Sequence, residues 1–206
     1  MSQARTRDVV VIAASAGGLA ALCDLLSRLP PEFPAAVLVV LHVPPAGGRA
    51  LPRILGRAGT LPAATAVDGE KFLPGHVYVA PPDHHMLVAA GETRLSRGQR
   101  RGGHRPAADP LFISAALSEG PAVTAVVLSG TLDDGAAGCA AVEQHGGLVL
   151  VQDPAESPYD GMPRAALAAT GHPQVLRLAE LAVALDREAR VRLPGNRPRP
   201  PGPGLG

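Results

Sequence analysis

The sequence predicts an α/β fold: a doubly wound, mostly parallel sheet with helices on both faces and an added antiparallel hairpin. Three observations carry that expectation. Val9-Val10-Val11-Ile12 and Ala36-Val37-Leu38-Val39-Val40-Leu41 are continuous apolar runs rich in β-branched residues, and residues 123–129 are a third, largely apolar run of the same kind, as strands buried on both faces of a parallel sheet require. Segments of helical spacing alternate with these runs, which implies parallel strands joined by crossover helices. Residues 86–90 and 93–96 flank Gly91-Glu92, the pattern of an antiparallel hairpin at one sheet edge.

Taken in order, the first strand ends at Ala13-Ala14-Ser15-Ala16-Gly17-Gly18, and Leu19 to Leu26 follow with helical spacing. Pro30-Pro31-Glu32-Phe33-Pro34 breaks the chain before the second strand, which ends at His42. A helix is expected over 48–57, a short strand over 63–67 and another over 76–80. Arg97 to Arg105 reads as a glycine- and arginine-rich loop. A helix is expected over 109–119, with Leu111, Phe112, Ala115, Ala116 and Leu117 available for the core. The third buried run gives way to Gly130-Thr131-Leu132-Asp133-Asp134-Gly135 and a helix to about His145. A strand over 147–152, a proline-containing loop over 153–164 followed by a short helix, and a helix over 178–190 complete the pattern. Residues 1–190 read as one domain. Residues 191–206, with five prolines, lack the apolar content to join a core and are expected to be disordered.

Composition narrows the function. With 46% hydrophobic and 18% charged residues the chain has the profile of a soluble globular protein, and its net charge of +1 offers no global attraction to nucleic acid or membrane. Aromatics at 2% leave little for base stacking. No apolar run reaches membrane-spanning length and no signal-peptide core precedes the first strand, so a cytoplasmic protein is expected. Cys23 and Cys139 fall in predicted helices and read as free thiols.

The chemistry gathers at strand ends. Open parallel sheets place their sites beyond the carboxyl ends of the strands, where Ser15 ends the first and His42 the second. Asp134 follows the third. A serine there is a nucleophile beside helix amides that favour negative charge, part of a phosphate-holding turn, or only a helix cap. The phosphate reading lacks both G-x-G-x-x-G and the Walker pattern. A serine nucleophile needs a base, and a histidine base needs a carboxylate to orient it. His42 and Asp134 supply both, although His42 could instead bond a loop carbonyl, Asp134 could simply cap a helix, and Asp133 competes with it. Asp83-His84-His85 and His104 suggest a metal cluster on paper, without a helical histidine pair or Cys-x-x-Cys spacing. Arg97, Arg100, Arg101 and Arg105 are candidates to meet an acidic partner, or form a solvated loop.

These residues bring a resemblance into view. Ala14-Ser15-Ala16-Gly17-Gly18, Leu41-His42-Val43-Pro44-Pro45, Leu73 to Pro81, Gly103-His104-Arg105-Pro106, Leu128-Ser129-Gly130, Asp134-Gly135-Ala136-Ala137-Gly138 and Gly161-Met162-Pro163-Arg164 occur in the same order as in the catalytic domain of the CheB family of chemotaxis receptor methylesterases, over roughly residues 9–185. The resemblance implies a serine hydrolase that removes methyl groups from glutamate γ-methyl esters on the cytoplasmic helices of chemoreceptors, often with glutamine deamidase activity. It places Ser15, His42 and Asp134 on the family's triad positions, favours Asp134 over Asp133, and puts Thr131 where a backbone amide serves the oxyanion hole. Met162 joins the four arginines as a substrate-binding candidate. No metal or organic cofactor is implied. Full-length family members carry an N-terminal receiver domain; the first catalytic strand here begins near residue 9, so that domain is expected to be absent, with activity expected to be constitutive or supplied by a partner such as a separate response regulator or methyltransferase. Ala13, Ala16 and Thr131-Leu132-Asp133 depart from the family pattern, and Leu132 enters positive φ less readily than the glycine it replaces. A non-catalytic adaptor binding a receptor or methyltransferase is the alternative function.

Overall fold

The computed structural model describes residues 8–42 and 50–191. Its sheet has seven parallel strands: β1 (Val9–Ala14), β2 (Ala36–Leu41), β3 (Ala63–Thr65), β4 (Val77–Val79), β7 (Val123–Val127), β8 (Leu148–Gln152) and β9 (Gln174–Leu176), in the order β3-β4-β2-β1-β7-β8-β9. A separate two-stranded antiparallel sheet pairs β5 (His85–Ala89) with β6 (Glu92–Ser96). The helices are α1 (Gly18–Ser27), α2 (Leu51–Ala58), α3 (Ala108–Glu119), α4 (Ala136–Gln144), α5 (Gly161–Ala169) and α6 (Leu178–Ala189).

The β1 run explains how one strand serves two cores. Side chains alternate across a strand, so Val10, Ile12 and Ala14 pack with Leu22, Leu25 and Leu26 of α1 and Leu181 and Leu185 of α6. Val9, Val11 and Ala13 face Leu111, Phe112 and Ala115 of α3 and Cys139 of α4. Every β1 residue is buried. A polar residue at any of these positions would leave a desolvated group against one core or the other.

From β1 the chain adds β2, runs out to β3 at the edge, fills in β4 between β3 and β2, then returns to place β7, β8 and β9 on the opposite side of β1. The direction of winding therefore reverses between β1 and β7. Such a switch point opens a crevice at the carboxyl ends, because adjoining connections leave on opposite faces. Ser15 emerges at that crevice, its amide bonded to the Ser129 carbonyl at 3.0 Å.

The structure corrects several details of the sequence reading. The hairpin is not an added edge of the main sheet; it forms its own sheet, and β5 packs against α3. Ser114 of α3 bonds the Val88 amide and Ser118 the Ala90 amide, tying the hairpin to the helix rather than to a strand. Leu117 is 67% exposed rather than in the core. Strand β9 was not foreseen, and α5 begins within the segment expected to be loop. Residues 48 and 49 of the expected second helix, and the tail from 192, lie outside the described residues.

Candidate active site

The turn that carries Ser15 is shaped by glycine. Gly17 stands at φ 72°, before the first turn of α1, and a Cβ on Gly18 would lie 2.5 Å from the Ala14 Cβ and 3.0 Å from the Ser129 carbonyl oxygen. A side chain at 18 would push α1 off the strand end. The chain can thus turn from β1 into α1 within three residues, leaving Ser15 half-buried at the crevice. Ser15 does not cap α1, whose N-cap is Gly17. Ser129, buried below the turn, donates from Oγ to the Ala16 carbonyl at 2.8 Å and accepts from the Tyr159 amide at 3.2 Å. Its own amide donates to Gln152 Oε1 at 2.9 Å. The turn therefore rests on a bonded polar brace.

His42 leaves the end of β2, its amide bonded to the Ala14 carbonyl. Its Nε2 lies 2.7 Å from Asp134 Oδ2, with the two side chains only 7% and 10% exposed. This contact excludes the reading of His42 as bonded to a loop carbonyl. Asp133 makes no side-chain bond among the described residues; only its carbonyl is used, by the Ala136 amide. Asp134 also accepts from the Ala108 amide at 2.6 Å and the Asp109 amide at 3.1 Å. It does serve a helix start, but that of α3 rather than of the helix that follows it.

Asp109 returns the arrangement. Its Oδ1 accepts from the Gly135 and Gly138 amides at the start of α4, at 3.1 and 2.8 Å. Two helix N-termini thus exchange carboxylates, each satisfying amides that have no partner within their own helix. Burial pushes the Asp134 carboxyl up, but the His42 bond and the two backbone amides outweigh it, and its pKa lies below the ordinary value. For Asp109 burial dominates, reinforced by the charges of Asp134 and Asp133, and its pKa is raised despite the glycine amides. The outcome is a carboxylate at 134 that stays ionised beside the histidine.

Ser15 and His42 line one open cleft of about 430 Å³, with Leu19, Ala20, Cys23, Leu41 and Ile54 as its apolar wall. The Ser15 hydroxyl makes no hydrogen bond among the described residues, and neither do the amides of Ala16, Gly17 and Thr131. With Nε2 occupied by Asp134 and no hydrogen bond at Nδ1 among the described residues, His42 can take a proton from a nucleophile at Nδ1. Leu132 adopts φ 65° and is 65% exposed, so the leucine does enter the positive-φ region at the rim of the loop. Such a conformation costs a non-glycine residue on the order of 1–3 kcal/mol.

The remaining candidates have other surroundings. Arg105 donates from Nε and Nη2 to Asp83 Oδ1, and from Nη1 to the Arg97 and Gly98 carbonyls. Arg100 also reaches Asp83, at 3.0 Å, and Arg97 donates to His84 Nε2. The Arg105 hydrogen bond, followed by charge from Arg105, Arg100 and Arg97, outweighs desolvation and holds Asp83 below its ordinary pKa. Arg101 is exposed and borders a shallow groove with Leu87, Pro110 and Ile113. Met162 is 1% exposed; its side chain lies against Gly130 and its amide donates to the Gly130 carbonyl, so it supports the loop instead of facing the cleft. His85 is buried. The Ala107 amide donates to its Nδ1, which leaves Nε2 to donate to the Gln99 carbonyl. Among the described residues no group of three or more His, Cys, Asp or Glu could hold a metal ion, and no helix is long and apolar enough to cross a membrane.

Sequence reasoning missed Asp109, Ser129 and Gln152. An Asp in the first turn of α3 was a readable signal for helix-end charge, but its acceptance of amides from α4 depends on the crossing of two helices remote in sequence.

The family model described as CheB methylesterase matches residues 10–185. A Myxococcus xanthus protein named protein-glutamate methylesterase/protein-glutamine glutaminase 4 is 43% identical over 84% of this chain and 50% of its own length. A Pseudomonas aeruginosa protein with the same name and the number 2 is 40% identical over 93% of this chain and 56% of its own. The chain spans about half the length of these curated relatives. The crystal structure of the Thermotoga maritima CheB methylesterase catalytic domain superposes with a TM-score of 0.83 at 32% identity, covering 87% of this chain and 97% of that one.

Proposed function

The chain belongs to the CheB methylesterase family, and from that premise we propose that it is a serine hydrolase acting on glutamate γ-methyl esters of a protein substrate. The observation that carries the reading is the 2.7 Å contact of Asp134 with Nε2 of His42, the residue that lines one cleft with Ser15. Ser15, His42 and Asp134 are its nucleophile, base and orienting acid. The Ser15 Oγ attacks the ester carbonyl carbon as its proton passes to His42 Nδ1. Asp134 stabilises the imidazolium. Negative charge on the carbonyl oxygen meets backbone amides, for which Thr131 and the start of α1 are the candidates. Collapse breaks the carbon–methoxy bond, His42 returns its proton to the departing methoxide, and methanol leaves an acyl-serine. Water then attacks, its proton taken by His42, and the carboxylic acid is released with Ser15 restored. A side-chain amide passes through the same steps with ammonia as the leaving group, consistent with the second half of the relatives' names.

An open, apolar-walled cleft suits a side chain presented on a folded surface better than a free small molecule, which would be more fully enclosed. Methylated helices of a chemoreceptor are the proposed partner. The test is methanol release from a receptor fragment bearing γ-methyl-glutamate. Wild type should release methanol and Ser15→Ala should not. Equal release by both would remove Ser15 from the mechanism.

A further inference from the structure

The ring of His104 lies flat on the ring of His42, centroids 4.1 Å apart and planes within 3°. No other ring contacts His42 among the described residues, and the proposed reaction gives His104 no step. Its delivery is built. Arg101 and His104 exchange both backbone hydrogen bonds, at 3.0 and 2.8 Å, across Gly102 and Gly103, which stand at φ 54° and 83°. Positive φ at both central residues makes this a two-residue hairpin turn of the type that favours glycine. On one side of the turn the chain is anchored through Arg105 to Asp83, and on the other through the Gln99 carbonyl to His85.

The His42 geometry creates a need for such a neighbour. Its bond to Asp134 holds Nε2, which lies at the far end of the ring and near the Cβ–Cγ axis. Turning the ring about that axis moves Nε2 little but swings Nδ1 through a wider arc. Ser15 contributes no hydrogen bond that would fix Nδ1. We propose that His104 is a positioning residue: by stacking on His42 it blocks this rotation and keeps Nδ1 turned toward the cleft that Ser15 lines. The inference rests on the reading of Ser15 and His42 as nucleophile and base.

The stack has a charge requirement. The charges that act on His104 are those of His42, which it stacks on, and of Asp134 and Arg100. Burial, then the His42 charge and Arg100, lowers the His104 pKa, with only Asp134 opposing. Neutral His104 therefore accompanies the imidazolium formed on His42 during reaction. Protonated His104 would set two cations face to face, so activity should fall with acidification more steeply than a single base would require.

Fluorophosphonate labelling of Ser15 tests this, with the rate followed by intact mass and the site by peptide mapping. The reagent forms an oxygen–phosphorus bond to Ser15, expels fluoride and requires the same proton transfer to His42. At pH 8, His104→Ala should slow the maximal labelling rate by about 10- to 100-fold, the loss expected of a misaligned catalytic group, with little change in the concentration of half-saturation. His104→Phe restores a flat ring without a titratable group; it should recover most of the rate and have a shallower acid limb than wild type. Melting curves accompany both variants, and if the alanine variant is unfolded the phenylalanine variant decides. A folded His104→Ala variant that labels like wild type overturns the inference, as does a folded His104→Phe variant as slow as alanine or with an unchanged acid limb. If wild type and Ser15→Ala label alike, the underlying reading falls and this inference falls with it. If only wild type labels, that reading stands and the His104 arms are decisive.

Discussion

On the side of the proposed base, every polar group has a partner: Asp134 holds His42 and the α3 amides, Asp109 holds the α4 amides, and His104 covers the His42 ring. On the side of the proposed nucleophile, the Ser15 amide is bonded to the Ser129 carbonyl beyond β7, yet its hydroxyl has no partner among the described residues. The difference suits the chemistry. A base must present one nitrogen in one direction through both halves of the reaction, and preorganised partners remove the need to reorient it. A nucleophile must move from the base to the ester carbon and stay there as the acyl-enzyme, and rotation about one side-chain bond of serine allows that.

Removing either member of the reacting pair tests whether the two sides act as one unit. Ser15→Ala and His42→Ala should each lower esterase turnover by roughly 10³- to 10⁶-fold, and the double variant should be little worse. Multiplying losses would mean that the sides work independently. Asp134→Asn should cost on the order of 10⁴-fold by allowing the wrong histidine tautomer, while Asp133→Asn should stay near wild type. The reverse ranking would move the orienting acid to Asp133.

The exchanged carboxylates sharpen the comparison on the rigid side. Both glycine amides donate to the same Asp109 oxygen, Oδ1, so Asp109→Asn can keep both bonds through its amide oxygen. Asp109→Ala loses them and should cost about 1–2 kcal/mol, as for loss of a helix cap, with a measurable fall in turnover because the Asp134 segment loosens. The two carboxylates also predict opposite pH effects. A depressed folded-state pKa at Asp134 contributes stability above the unfolded value, lost as pH falls through the folded one; a raised pKa at Asp109 contributes stability at low pH, lost as pH rises through its folded value. Asp109→Asn should therefore lose less stability than wild type on going from acid to neutral pH in urea melts. A larger loss would contradict the assignment of burial as the dominant cause.

Much of this was legible in the chain. Continuous apolar runs identify central parallel strands because burial on both faces leaves no other composition stable, and strand ends are where a parallel sheet can gather distant residues. That rule puts Ser15 and His42 at one edge of the sheet, where only their conjunction with a carboxylate turns two ordinary strand-end residues into candidates. It does not choose Asp134 over Asp133: neighbours point in different directions, and only the crossing of α3 and α4 decides which one reaches His42. The hairpin was readable from Gly91-Glu92, but its seat on α3 depends on Ser114 and Ser118 reaching backbone amides across the gap. Strand β9 is only Gln174-Val175-Leu176, too short for any periodic signal. Residues 97–105 read only as a glycine- and arginine-rich loop; the turn at Gly102-Gly103 and the ring it delivers onto His42 are tertiary facts.

The arginine loop is expected to matter less, and on one kind of substrate only. Arg97 and Arg100 already bond His84 and Asp83, so replacing them with Arg101 by alanine should slow reaction with an acidic receptor helix by a few-fold, within the small range of exposed charge pairs. The loss should shrink at high salt. Labelling of Ser15 by a small uncharged reagent should remain near wild type. Equal losses on both would place the effect in the turn that carries His104.

The smallest effect concerns Leu132, on the rim of the loop that offers the Thr131 amide. At φ 65° the leucine is strained where glycine is not, and its side chain is exposed, so little packing is lost on removing it. Leu132→Gly should gain about 1 kcal/mol from the backbone and lose a similar amount because glycine makes the unfolded chain more flexible. The melting temperature should therefore hardly move. Turnover is the more informative readout. If the Thr131 amide contacts the oxyanion, a more mobile neighbour should lower kcat by a few-fold without changing KM, since the contact is made only in the transition state. If kcat is unchanged, the oxyanion is held by amides on the nucleophile side alone, at the start of α1, and the loop that carries Asp134 serves only the base.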